Sequence, residues 1–232
     1  KRASYNFKES LIMEFRIYYE CLEQANDYIK PLVSSSVDGD VDIRLIRRVK
    51  SASAFNSGAV GAIQYLVTPD IMITGVKDNK EYPLIIIEIS EAVTTEDHEL
   101  QRTYGAISAY FANTFYIKIS GNKKSDKVFG GADYNAYSTP RIFIDSKNFE
   151  GYLIAEWPLT QNSDTLLVRN QEFLSCPQSI ELLNDSINCI IKSFINTDQG
   201  WYASALESLK TKPSYIKFVE KVNQAAGLEQ LM

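Results

Sequence analysis

The chain reads as an α/β protein, a mixed sheet flanked by helices, and three observations predict this. Short β-branched runs, "IMITGV" at 71–76, "PLIIIEIS" at 83–90 and "TFYIKIS" at 114–120, have the length and composition of strands. A helical stretch, "TTEDHELQRTYGAISAYFAN", separates the second run from the third. From about residue 178 the pattern is helical: "SIELLNDSINCIIKSFIN", then "GWYASALESLK", then "PSYIKFVEKVNQ".

Taken in order, residues 7–30 carry helical periodicity. Glu9, Arg16, Glu20, Glu23 and Asp27 fall within one arc, and Leu11, Phe15, Tyr18, Leu22 and Ala25 lie opposite. Glu14 breaks the rule from the middle of the apolar face. Either it reaches the helix edge or an arginine, or it faces an ion from this first helix. "PLVSSSVDGD" ends the helix with a proline and a polar loop. "VDIRLIRRV" at 41–49 suits a strand or a short helix, and "SASAFNSGAVGA" suits a loop that approaches another surface closely. Residues 71–76 and 83–90 then form two strands joined by the turn "KDNKEYP". Thr94 or Thr95 caps the following helix, whose apolar stripe is Leu100, Tyr104, Ile107 and Phe111. After the strand "TFYIKIS" come a basic loop, "GNKKSDK", a further strand, "RIFID", and a possible one, "TLLVRN". Residues 1–175 are expected to form the core, with 176–232 a helical part docked on the same domain.

At 232 residues the chain has room for one sizeable core. With 45% hydrophobic and 23% charged residues its composition is ordinary for a globular protein. No apolar run approaches the ~18 residues of a membrane span, and no signal-peptide pattern opens the sequence. The expectation is a cytoplasmic protein with no membrane partner. Its three cysteines, Cys21, Cys176 and Cys189, are widely spaced and show no zinc pattern. A single histidine, His98, argues against His-based metal sites and against Ser–His–Asp chemistry. The net charge of −5 means that nucleic-acid binding must rest on local basic patches.

The segment that bears chemistry is "TPDIMITGVKDNKEYPLIIIEIS", 68–90. A hydrophobic run ending on Glu88 buries part of a carboxylate, which costs several kcal/mol unless something pairs with it. A hairpin return brings Asp70, at the start of one strand, beside Glu88 near the end of the next. These two carboxylates and the Ile89 carbonyl offer hard oxygen ligands, which suits Mg²⁺. Such an ion acidifies a bound water and offsets charge on a phosphate. Lys118, between Ile117 and Ile119 on a core strand, points either to a polar site or to solvent. Arg44, Arg47, Arg48 and Lys50 precede this segment, and Lys123, Lys124 and Lys127 follow Lys118. They are either solvated faces or phosphate contacts.

Pro69-Asp70, the 18-residue step to Glu88 and the β–β–α–β order across residues 66–120 resemble the PD-(D/E)XK nuclease superfamily, which includes most type II restriction endonucleases. The resemblance implies a restriction-endonuclease-like core and a Mg²⁺-dependent endonuclease cutting double-stranded DNA as a homodimer. It implies Asp70 and Glu88 as metal ligands, with Glu14 joining the metal shell from the first helix. The family's lysine position, two residues after the acid, is Ser90 here. Lys118 is the relocated candidate, and Gln101 and Tyr104 resemble a glutamine–tyrosine pair of some members. Two alternatives stand beside it: a catalytically degenerate nuclease fold used for DNA binding or as a complex subunit, and an unrelated α/β interaction domain.

Overall fold

One mixed sheet of six strands organises the chain, in the order β2-β1-β3-β4-β5-β6. The computed structural model describes residues 13–47, 56, 58–90, 103–121, 137–157, 180–197 and 199–225. The strands are β1 (Glu14–Tyr19), β2 (Val41–Leu45), β3 (Ile71–Lys77), β4 (Lys80–Ser90), β5 (Phe115–Gly121) and β6 (Tyr152–Trp157). β1, β3 and β4 are antiparallel neighbours, whereas β2 runs parallel to β1, β5 to β4 and β6 to β5. The helices are α1 (Lys30–Ser34), α2 (Gly58–Gln64), α3 (Thr103–Ala112), α4 (Ser138–Lys147), α5 (Glu181–Asn196), α6 (Trp201–Lys210) and α7 (Pro213–Gln224). The α/β class, a mixed sheet flanked by helices, is therefore what the chain adopts.

Strands β3, β4 and β5 lie where the β-branched runs predict them. β4 starts earlier, at Lys80, because the β3–β4 turn is tight: Asp78 and Asn79 take φ of 52° and 58°, a left-handed pair that aspartate and asparagine tolerate. β4 and β5 are parallel and therefore need a crossover, which includes α3.

Four local expectations are corrected. In place of a helix over 7–30, residues 14–19 form β1, and a π-helix (Gln24–Ile29) then runs into α1. "EFRIYY" fits a period of two as well as one of 3.6. With Phe15 and Ile17 buried on one side, the strand period wins. Pro31 opens α1 rather than ending a helix, since its missing N–H is harmless in a first turn. Residues 58–64 are helix α2, not loop, and 41–45 resolve as strand. "RIFID" lies within α4, with Phe143 and Ile144 packed on the core. β6, "YLIAEW", goes unmarked by the sequence reading, a short apolar run without alternation that becomes the outer parallel strand. "TLLVRN" lies outside the described residues.

The expected stripe on α3 is overturned at two positions, while Ile107 is half-buried and Leu100 lies outside the described residues. Tyr104 and Phe111 are 58% and 73% exposed, and the helix buries Gly105, Ala106, Ser108 and Ala109 instead. The cause is close packing. A Cβ on Gly105 would stand 2.5 Å from the Tyr116 ring, so small residues let α3 settle on β5. The opposite face of the sheet meets α5 and α6: Phe194 contacts Phe15 and Tyr82, and Phe115 stacks near Tyr202 at 4.5 Å. Each fully buried Ile, Leu or Phe contributes about 1.5–3 kcal/mol. The buried cluster runs without a break from sheet residues Ile17, Ile73 and Ile85 to Ile187 and Ile190 of α5.

Candidate functional site

The register of four strands brings four polar residues into one lateral row. Tyr19 pairs with Ile71, so the next step sets Glu20 beside Asp70, where the Glu20 N–H donates to the Asp70 carbonyl at 2.9 Å. Ile71 pairs with Ile87, so the same step sets Asp70 beside Glu88. Glu88 pairs directly with Lys118 on β5. Neighbours in such a row have Cβ atoms roughly 5 Å apart.

Asp70 closes the β3–β4 ladder with its side chain. Its Oδ2 accepts the N–H of Ile89 at 2.7 Å, a charge-assisted bond that fixes the carboxylate against β4. Pro69, buried just before it, removes a donor and restricts the backbone approach. Glu88 is half-buried at the end of four buried residues, Leu84 to Ile87. Lys118 is only 1% exposed. A buried ammonium demands nearby acceptors or anions, and the register sets a carboxylate at the adjoining position. The solvent alternative for Lys118 is excluded. Ser90 lies two residues beyond Glu88, in register with Ser120.

Glu14 is not part of this row. It sits at the start of β1, opposite Val76, six residues from Glu20 and so roughly 20 Å away along the strand. Arg16 grips it with two bonds, Nε–Oε1 at 2.6 Å and Nη2–Oε2 at 2.9 Å, and Arg44 adds a contact at 3.3 Å. The hydrogen bond from Arg16 leads in holding the Glu14 carboxyl below the usual carboxylate range. The same network includes Glu81, whose Oε1 accepts from Tyr18 at 2.9 Å and Thr74 at 2.8 Å and pairs with Arg16. Burial leads in raising the Tyr18 phenol, and the bond to Glu81 adds to it. The expectation that Glu14 faces an ion from a first helix is corrected on both counts. Glu14 is a strand residue, and its carboxylate is held by arginines.

The basic residues divide. Arg44 is drawn into ion pairs with Asp42 and Glu14 rather than presented to a ligand. Arg47 is exposed, while its main chain is clasped by Asn56 and Gln64. Arg48, Lys50, Gln101, Lys123, Lys124 and Lys127 lie outside the described residues. Glu20 is the residue the sequence pattern does not mark. Its signal is the period of two in "EFRIYYE", visible only once that run is read as strand.

Chemically, the row offers hard oxygen donors from Asp70 and Glu88 next to a buried cation. Among the described residues, no group of three or more His, Cys, Asp or Glu side chains is placed to hold a metal ion. In comparisons with known proteins, no family model, no curated protein and no solved structure matches the chain.

Proposed function

We propose that the chain is a Mg²⁺-dependent endonuclease of the restriction type that hydrolyses phosphodiester bonds in double-stranded DNA. The observation that carries this reading is the juxtaposition of Asp70, Glu88 and Lys118 at successive positions on three adjacent strands. Asp70 and Glu88, with the Ile89 carbonyl, are the oxygen donors that fit a hard divalent ion, which keeps part of its water and takes phosphate oxygens as further ligands. Asp70 spends one lone pair on the Ile89 N–H, and an ionised carboxylate retains others for an ion. When bound, the ion supplies an acidified water and offsets charge on the phosphate. Lys118 supplies the positive charge that Ser90 cannot, from the strand beside Glu88 rather than from two residues beyond it. Double-stranded DNA is the partner, and of the expected basic patches before and after the segment Arg47 is described and exposed for phosphate contact.

The test is cleavage of a broad panel of modified and unmodified DNA by purified protein with Mg²⁺ or Mn²⁺. Cutting should occur, and Asp70→Ala and Glu88→Ala should abolish it. Intact DNA under every condition defeats the proposal.

A second reading, a degenerate nuclease fold that binds DNA or joins a complex without cutting, is favoured by one observation. Lys118 is almost fully covered, so its ammonium reaches a substrate only if the surrounding chain opens. Calorimetric titration with Mn²⁺ separates the two. Carboxylate-dependent heat that disappears in Asp70→Ala supports the enzyme, and no metal heat supports the binding module.

A further inference from the structure

The turn between α2 and β3 holds two apolar side chains out of the protein. Tyr65 is 71% exposed and Leu66 52%, whereas Val67, next along the chain, packs on the core. The turn is closed by main-chain bonds: the N–H groups of Leu66 and Val67 both donate to the carbonyl of Ile63, at 2.9 and 3.1 Å. Gln64, just before it, is buried and bridges two neighbours. Its Nε2 donates to the Arg47 carbonyl at 3.0 Å, and its Oε1 accepts the Asn56 N–H at 2.8 Å. A buried amide held at both ends fixes the end of α2, so the exposed pair stands on a rigid base. One exposed leucine is ordinary, but a tyrosine and a leucine side by side on a fixed turn present an apolar tip to solvent.

This tip lies at the edge of the sheet that carries the candidate site. β2 runs parallel to β1 and β3 antiparallel to it, so the end of β2, just before Arg47, and the start of β3, just after Asp70, share that edge. The five residues of chain from Tyr65 to Asp70 span at most about 17 Å. At a rise of about 3.4 Å per base, the tip stands within about five base steps of a phosphate held at Asp70 and Glu88. Arg47, exposed and tied to Gln64 through its carbonyl, adds a positive charge for the backbone beside the tip.

We propose that Tyr65 and Leu66 form a wedge that enters the DNA duplex near the cleaved bond and unstacks one base step. The outside of a duplex is phosphate and sugar, which an apolar tip cannot satisfy. The face of an opened base is a surface that it can match. Tyr65 stacks on the freed base, as aromatic rings do on any base, and Leu66 fills the space beside it. The wedge therefore selects by how readily a step opens rather than by base identity, and pyrimidine–purine steps open most readily. It rests on the DNA partner of the reading above and needs neither metal nor cleavage.

The experiment is fluorescence anisotropy of two short labelled duplexes with the full chain, at low salt and without metal. One duplex is fully paired, and the other differs only by a single unpaired base at its centre. There the cost of unstacking is already met, so wild type should bind the second duplex at least about fivefold more tightly. Tyr65→Ala and Leu66→Ala change exposed side chains, should melt as wild type does, and should each reduce that preference; together they should erase it. Tyr65→Phe keeps the ring and should retain it. Equal binding of the two duplexes by wild type overturns the wedge, and is what a tip reserved for a protein partner would give. So does a preference that survives the double alanine variant. Both of those results leave the nuclease reading standing. A preference that depends on Tyr65 in a chain that cuts no DNA with Mg²⁺ supports the wedge and defeats that reading instead. Binding to neither duplex defeats both.

Discussion

Glu88 on β4 stands in direct register with Lys118 on β5, a half-buried carboxylate beside a lysine that is 1% exposed. Adjacent charges at an edge of a core are energetically coupled, since removing one leaves the other without the counter-charge that the register sets beside it. In urea titrations, Lys118→Met should therefore cost less stability in a Glu88→Gln background than in wild type. The coupling expected for neighbours of this kind is about 0.5–3 kcal/mol. Additive costs would show that the two residues meet in register but not in energy.

Asp70 also has a role that does not depend on any ion. Its Oδ2 is the acceptor for the Ile89 N–H, at 2.7 Å. Asp70→Ala leaves that buried donor without its partner and should lower stability by about 1–3 kcal/mol. Asp70→Asn keeps an acceptor oxygen and should lose less, while still removing the negative charge. Denaturation midpoints in metal-free buffer would rank the two. Equal losses would mean that the hydrogen bond is not what holds the strand end.

The fold was legible in the sequence where hydrophobic patterning was unambiguous, and less so where two periods fitted one stretch. β3, β4, β5 and the three C-terminal helices follow directly from β-branched runs and long amphipathic stretches. Residues 14–19 satisfied both a helix and a strand, and only tertiary pairing with β2 and β3 decided between them. That one ambiguity misplaced Glu14 in the expected site and left Glu20 out of it. "YLIAEW" and "RIFID" were equally short, and their states depend on what they pack against rather than on their own propensity. Of the candidate site, Asp70 beside Glu88 followed from the hairpin alone. Lys118 beside Glu88 required the crossover register, which no local pattern encodes.

Gly75 on β3 is held small by the ring above it. A Cβ there would stand 2.4 Å from Cε1 of Phe194, a buried side chain that also contacts Phe15, Tyr82 and Trp201. Gly75→Ala overpacks this contact and should destabilise by about 1–3 kcal/mol. Phe194→Ala, which empties the site, should cost about 3–5 kcal/mol. The double variant Gly75→Ala with Phe194→Leu should be more stable than the sum of its single changes, because the smaller side chain yields the space that the methyl requires. Thermal melts of the four proteins form the cycle. Strict additivity would show that the ring moves aside freely.

The pH dependence of stability follows from the arginine grip on Glu14. Hydrogen bonding by Arg16 first, and then the charges of Arg16 and Arg44, hold its carboxyl below the ordinary value of 4.5. A group whose pKa is depressed by folding stabilises the native state above its unfolded pKa, and that contribution fades as pH falls through the folded value. The contribution of Glu14 should therefore be fully present at pH 7 and lost in strongly acidic buffer. Glu14 is 38% exposed at its side chain and so is partly screened by solvent, which keeps the expected effect at or below about 1 kcal/mol. Glu14→Gln should be less stable than wild type at pH 7 and nearly equal to it in strong acid, with the gap at neutral pH narrowing in high salt. Urea titrations of both proteins across this pH range make the comparison. A gap that persists unchanged into strong acid would mean that Glu14 contributes by packing and not by charge.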